Sequence, residues 1–191
     1  MAFILGKKLK MSQIWKGDRV VPVTVIEARP NVVTFLREKK RDGYEAVQVS
    51  LHKVKREFNK RMGLTLPEAA QKLGAMISVD SFTEGDLVRV TGISKGRGFQ
   101  GVVKRHNFGG GPKTHGQKNR FRAPGSIGST APQRVFPGRK MAGRMGNDTI
   151  TIKNLKVIGV DHEKHLLMLR GAVPGARGGL LKIQKTKAVT T

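Results

Sequence analysis

Residues 19–26 read RVVPVTVI. Six of the eight are β-branched. Such side chains lose rotamer freedom in a helix but pack well on a pleated surface. The stretch is therefore expected as a strand. Pro22 points to an edge or a bulge, because proline has no N–H to give to a ladder.

Working outward, the same signal recurs. AVQVSL at 46–51 alternates with period two, as does LVRVT at 87–91. TITI at 149–152 and LKVIGV at 155–160 continue the series. Two further runs, His165 to Arg170 and Gly179 to Ile183, flank a Pro/Gly turn at Val173-Pro174-Gly175, and Asp42-Gly43 marks another turn. Thr65 and Glu68 form a capping-box pattern that predicts a helix running to Leu73 and stopped by Gly74. A second short helix is expected from about Phe99 to His106. Many short strands with few helices predict a mainly β fold, a closed barrel or sandwich. About 130 residues lie outside the basic middle segment described next, enough for an adequate core.

Charge divides the chain more sharply than hydrophobicity does. The formal net charge is +24 over 191 residues. Residues 1–86 carry 16 Lys/Arg and 10 Asp/Glu, and residues 148–191 carry 8 and 3. Residues 87–147 carry 13 Lys/Arg, 13 Gly and no acid at all. Such a balance attracts polyanions, with nucleic acid the first candidate, an anionic membrane second and acidic proteins third. No run of 18 apolar residues is present to span a bilayer. The opening MAFILGKKLK has its charges after its apolar residues, the reverse of a secretory signal. The chain has no cysteine, which removes disulfides and thiolate metal sites. A cytoplasmic protein is expected.

Several motifs invite a chemical reading. Gly96-Arg97-Gly98-Phe99-Gln100-Gly101 is a literal G-x-G-x-x-G, but a dinucleotide site needs an acid about 20 residues on. No acid follows before Asp148. A turn with close backbone packing, or amides beside Lys95 and Arg97 that cradle a phosphate, are the remaining readings. His162 and His165 stand beside Asp161 and Glu163 but read as a solvated turn. Ser126 and Ser129 near His115 lack an acid to orient the histidine. No catalytic residue, cofactor or metal is expected.

The cations are what remain. A segment of like charges repels itself and cannot build a core, so in isolation it is expected to be disordered. A polyanion supplies the missing charge through counterion release. Glycine lets the backbone lie close to phosphate and sugar, and Pro112, Pro124, Pro132 and Pro137 restrict the chain to extended forms. Phe108, Phe121 and Phe136 are suited to stack on unpaired bases, with His106 and His115 as weaker stackers. A two-legged loop of roughly 35 residues, at about 3.3 Å each, reaches on the order of 50 Å. The segment reads as one made to thread through folded RNA.

At these residues the sequence resembles the bacterial-type large-subunit ribosomal protein three family, over nearly its whole length. The blocks GISKGRGFQGVVKRHNF, THGQKNRFRAPGSIG, VFPGRKMAGRMGN and LLMLRGAVPGARGG carry the resemblance in order. ILGKKLKMSQIW is similar to the family's opening strand pair, and VPVTVIEA and DGYEAVQV follow. The resemblance implies a Greek-key translation-protein-type β-barrel at residues 1–107 and 145–191, with a small helical insertion near 60–75. It also implies an extended basic loop at 108–144 that runs through rRNA toward the peptidyl-transferase region. Lys95, Arg97, Lys104, Arg105 and His106 fall in the family's RNA-contacting stem. Lys113, His115, Arg120, Arg122, Ser126, Arg134, Arg139, Lys140 and Arg144 fall in its inward loop, and Lys118 is expected among the same RNA-binding cations.

The family's role implies a structural, non-enzymatic component of the large ribosomal subunit. It binds 23S-type rRNA early in assembly, neighbours large-subunit proteins fourteen and nineteen, and needs neither a membrane nor a homo-oligomer. The rival reading is a free-standing architectural or RNA-chaperone protein. Three departures stand out: Lys10 where the family usually has glycine, a short 60–75 region, and Ser129 to Gln133 one residue short. Gln133 is therefore not expected to be the methylated glutamine of some members.

Overall fold

The computed structural model describes residues 2–52, 54–59 and 72–186. They form two compact units, Met1–Ser94 with Thr149–Thr191, and Lys95–Asp148.

The first unit is built from strands: β1 (Phe3–Lys16), β2 (Arg19–Glu27), β3 (Asn31–Arg37), β4 (Ala46–Leu51), β5 (Val54–Asn59), β6 (Met76–Ile77) and β7 (Leu87–Ile93). A helical turn, α1 (Lys39–Asp42), sits between β3 and β4. The second unit holds β8 (Phe99–Gln100), α2 (Val102–His106) and β9 (Gly143–Arg144). The chain then returns to the first unit with β10 (Thr149–Asp161), β11 (Leu166–Arg170) and β12 (Leu180–Lys185). The expected class, mainly β with few short helices, is what the structure shows. Six strands close on themselves in the order β1-β12-β7-β10-β11-β2, and every pair is antiparallel. A separate four-stranded sheet has the order β5-β4-β3-β6.

The opening of β1 explains how one chain serves two cores. Phe3, Ile4 and Leu5 are all fully buried, an uninterrupted apolar run with a hydrophobic layer on each side. Ile4 joins Ile26, Val90, Leu181 and Ile183 inside the ring. Phe3 and Leu5 face the other way and join Val33, Val47, Val49 and Phe58 of the four-stranded sheet. The rings of Phe3 and Phe58 meet at 4.5 Å and 36°. Burying each such side chain stabilises the fold by roughly 1.5–3 kcal/mol. On the side of β1 that β2 pairs only from Lys7 onward, the buried Asn31 replaces a strand partner. Its amide oxygen accepts from the Leu5 N–H at 2.7 Å, and its nitrogen donates to the carbonyls of Leu5 and Arg29 at 3.2 and 2.7 Å.

Several sequence expectations are corrected here. The opening residues form one long strand with a bulge at Leu9, not a strand pair. Lys10 lies on that strand opposite Val25, away from any turn and without a positive φ, so a side chain is accommodated there. The first turn comes later, where Gly17 has φ +60°. Pro22 does lie at an edge: β11 ends opposite Val23, so β2 has no strand partner on that side at Pro22 and no ladder bond is lost. Residues 149–161 form one strand that a bulge between Ile152 and Leu155 interrupts, with Asn154 at φ +59°. This explains why the sequence reads there as two runs. The helix expected at 65–73 lies mostly outside the described residues, while its expected stop, Gly74, has φ +81°.

Part of the charge in this unit is paired. Arg37 reaches Asp42 at 2.9 Å and Glu57 at 3.0 Å, and its guanidinium lies 5.2 Å from the Phe35 ring centre. In the run Lys39-Lys40-Arg41, Arg41 pairs with Asp42 at 3.1 Å. Lys182 lies over the Phe58 ring at 4.3 Å and donates to the Glu57 carbonyl. Burial, with Arg89 nearby, pushes its ammonium pKa down.

Candidate nucleic-acid interface

The second unit rests on a narrow base. Phe99 pairs with Arg144 and Gln100 with Gly143. The Arg97 N–H donates to the Met145 carbonyl at 2.9 Å, and the Met145 N–H donates to the Gly98 carbonyl at 3.0 Å. Gly146 has φ +78°, and a Cβ there would lie 2.1 Å from the Lys95 carbonyl oxygen. Only glycine lets the two segments approach so closely. The G-x-G-x-x-G stretch is thus a close backbone pair. The Arg97 amide, a candidate for a phosphate cradle, is engaged by Met145.

Helix α2 follows Gly101 and is shorter than expected, since Phe99 and Gln100 belong to β8. Asn107 ends it in the left-handed region at φ 60°. Lys104, Arg105 and His106 occupy its last turn, where cations suit the free carbonyls. Arg105 Nη1 donates to the Met141 carbonyl at 2.7 Å, and His106 Nε2 reaches the same oxygen at 3.0 Å. A carbonyl only accepts, so this bond selects the Nε2–H tautomer. These two contacts join the outgoing and returning legs of the segment.

Beyond that junction the segment is held by turns. The Gly111 N–H donates to the Phe121 carbonyl at 3.0 Å. Single turn bonds link Ala123 to Arg120 at 3.1 Å, Gln133 to Thr130 at 3.0 Å and Arg139 to Phe136 at 3.3 Å. The Arg139 guanidinium donates to the Ser126 carbonyl, while the Ser126 hydroxyl donates to Gly128 O at 2.9 Å. A groove of about 490 Å³ is lined by Phe108, Gly110, Gln117, Arg120 and Pro124, among others. Of residues 95–148 only Val102 is buried.

The predicted cations divide into two sets. Arg105, His106 and Arg139 are engaged within the segment, and Arg134 lies 5.5 Å from the centre of the Phe136 ring. The exposed side chains of Lys95, Arg97, Lys104, Lys113, Lys118, Arg120, Arg122, Lys140 and Arg144 take no hydrogen bond or ion pair among the described residues. Asp148 is the single acid of residues 95–148. His115 is exposed at φ 56°. Of the expected stackers, Phe121 and Phe136 are exposed. Phe108 is half-buried and tilted against His106 at 6.0 Å. Sequence reasoning missed Phe99, which is 76% exposed beside Arg144. Its signal was an aromatic between Gly98 and Gln100 with no apolar neighbour to pack on.

The histidines outside this unit do something else. His162 Nδ1 meets Asp80 Oδ1 at 2.5 Å, and the Ser78 hydroxyl donates to the other oxygen of Asp80. The Ser78 and His162 bonds hold the Asp80 carboxyl below its ordinary pKa. Among the described residues no three His, Asp or Glu side chains gather as metal ligands, and no helix is long and apolar enough to cross a membrane.

Fold and interface together define a class: a mainly β protein carrying an uncompensated cationic segment suited to a polyanion. Comparison with known proteins makes this specific. Residues 60–165 match the family described as "Ribosomal protein L3". The chain is 48% identical to "Large ribosomal subunit protein uL3" of Herpetosiphon aurantiacus, across 98% of this chain and 97% of that protein. It is 46% identical to the protein of that name from Dehalococcoides mccartyi, across 96% and 97%. The Streptomyces avermitilis protein is 47% identical, across 95% and 94%. The chain belongs to the ribosomal protein L3 family. That family is structural, not enzymatic.

Proposed function

We propose that this protein is a structural constituent of the large ribosomal subunit in the cytoplasm and binds 23S-type rRNA through its second unit. Residues 108–144 are the threading loop, and 95–107 with 145–148 are its hydrogen-bonded base. The observation that carries this reading is the set of exposed, unpartnered cations in a segment whose one acid is Asp148. Opposing phosphates complete that charge, and the release of their counterions drives binding.

The family resemblance supports the finer parts of the proposal: early entry into assembly, a loop directed toward the peptidyl-transferase region, and large-subunit proteins fourteen and nineteen as neighbours. Phosphate contacts position the segment. The shape of the RNA and bases stacked on Phe99, Phe121, Phe136 or arginine supply selectivity.

The test is co-sedimentation with large subunits in high salt, followed by 23S-type rRNA binding across a salt series. Loss of one phosphate-contacting cation lowers the salt slope by roughly one unit. Arg120→Ala and Arg144→Ala are expected to do so. Arg139→Ala, which also releases the Ser126 carbonyl, is expected to add a loss of loop order. A chain lacking residues 112–134 is expected to keep weaker docking. Complete loss of its binding would make the loop, not the β unit, the primary anchor. Slopes unchanged in all three point variants would remove the segment from the phosphate contacts.

A further inference from the structure

The β1–β2 hairpin has an edge that the fold leaves unpaired. β12 pairs with β1 only over Phe3–Lys7, and β11 pairs with β2 only over Val23–Glu27. From Lys10 to Lys16 and from Arg19 to Val21 the two strands pair solely with each other. Pro22, which has no N–H, cuts the β2 edge short, so the longer free edge is that of β1.

Cross-strand partners share a face, and the register gives the ribbon two unlike sides. One side carries Met11, Gln13 and Trp15 opposite Thr24, Pro22 and Val20, and no charged residue. Trp15 is 68% exposed, Met11 53% and Val20 44%. The reverse side carries Lys10, Lys16 and Arg19, with Ile14 and Val21 between them. These three cations are exposed and form no ion pair among the described residues. Asp18, at the turn, is the single acid from Lys10 to Pro22.

Chemistry separates the possible occupants. A strand edge offers N–H donors and carbonyl acceptors in alternation, which another peptide backbone matches and a phosphate, an acceptor only, does not. The uncharged Trp15 side has nothing to hold a phosphate. A second copy of the ribbon, joined edge to edge, would set cation beside cation. Lysines on an edge protect it from pairing, but such protection does not account for an open tryptophan, methionine and valine on the reverse side.

We propose that the free edge of β1 receives a strand from a partner protein in which apolar and acidic residues alternate. The backbone of Lys10–Lys16 completes its ladder on that strand. Its apolar residues cover Met11 and Trp15, and its acids meet Lys10 and Lys16, with Arg19 adding to the field. The proposal is independent of the rRNA reading, since it needs no nucleic acid and lies outside residues 95–148.

Trp15 is the only tryptophan in the chain, so intrinsic emission reports this side alone. The full-length protein would be titrated with a short synthetic peptide in which valine and glutamate alternate, and amide exchange over Lys10–Lys16 followed in parallel. Three control peptides alternate valine with lysine, carry N-methyl groups on alternate amides, or place the same valines and glutamates in separate blocks. The block peptide has the same charge, so attraction to the cations of residues 95–148 is common to both. A blue shift and slowed exchange are expected with the valine–glutamate peptide. Binding should be about tenfold weaker or worse with the valine–lysine peptide, and lost on N-methylation, which removes backbone donors but keeps the side chains. Trp15→Ala should weaken binding about tenfold. Combining Lys10→Glu with Lys16→Glu should invert the preference toward the valine–lysine peptide.

Equal responses to the alternating and block peptides overturn the proposal, as does unmoved emission and exchange with every peptide, which would leave the lysines as edge protection only. Emission that oligo(U) moves and the peptide does not assigns the ribbon to RNA and overturns it. So does self-association that protects the same amides without peptide. None of these outcomes bears on rRNA retention, which tests the loop reading separately.

Discussion

The two units of this chain are both cationic but treat their charged side chains differently. In the β unit, Arg37 stands between Asp42 and Glu57, and Lys185 meets Asp86 at 2.7 Å. Two buried clusters share strand β1. In the unit at 95–148, the cations face solvent, and glycine-rich turns take the place of a core. The contrast teaches where order comes from. The β unit orders itself, because burial outweighs the conformational entropy lost. The cationic unit has a defined base at Arg97, Gly98 and Met145, and beyond the Met141 junction it is expected to order on a partner's charge.

The largest expected difference is therefore in amide exchange of the free protein. Strands around Ile4, Val90 and Ile183 should exchange only through global opening, whereas residues 112–140, held by single turn bonds, should exchange nearly freely. The gap in protection is expected on the order of thousandfold or more. Adding 23S-type rRNA should narrow it. Uniform strong protection in the free chain would erase the distinction between the units.

Next in size is Phe58→Ala. It removes the partner of Phe3 and the ring beneath Lys182, and is expected to lower the stability of the β unit by about 3–5 kcal/mol. The salt slope of rRNA binding should not change under conditions where the variant stays folded. Denaturant midpoints and a salt series measure the two effects independently, and a changed slope would show that the units are coupled.

Asn31→Ala is expected to cost about 2–3 kcal/mol, because it strands the Leu5 N–H and carbonyl in a buried site. Asn31→Asp should be no better, since a carboxylate cannot donate to the Leu5 and Arg29 carbonyls. A stability loss well under 1 kcal/mol for both would mean that Asn31 is not β1's substitute strand partner.

The same contrast explains what could be read in the sequence. Residues 46–51 and 87–91 were legible because one face of each is buried and the alternation survives in the side chains. Strand β3 was not: NVVTFLR begins with a buried asparagine and ends in an arginine whose acids, Asp42 and Glu57, lie beyond the strand, 5 and 20 residues on. Strand β5, VKREFN, hides its one core anchor, Phe58, among polar residues. The cationic segment was legible because the absence of acids is compositional and needs no fold. Which cations are already engaged was not, since Arg105 and His106 reach Met141, 36 and 35 residues away. The exposure of Phe99 likewise follows from the β8–β9 pairing, which two-residue strands do not announce.

The smallest expected effect tests the charge matching of the β unit through pH. Burial alone would raise the Asp86 pKa, but the Lys185 ammonium and the Thr83 N–H outweigh it and hold the carboxyl below its ordinary value. A depressed carboxylate contributes stability above the pKa of the unfolded chain and loses it as pH falls through the folded value. The wild-type β unit should therefore lose this contribution below about pH 4. Asp86→Asn should be less stable by about 1 kcal/mol at pH 7, a difference that fades as the medium is acidified. The measurement is a set of denaturant midpoints from pH 7 to pH 3 for both chains, read against amide exchange in the loop. Parallel curves for wild type and Asp86→Asn would show that the Lys185 pair is electrostatically idle, and that the first unit's stability comes from its two apolar clusters alone.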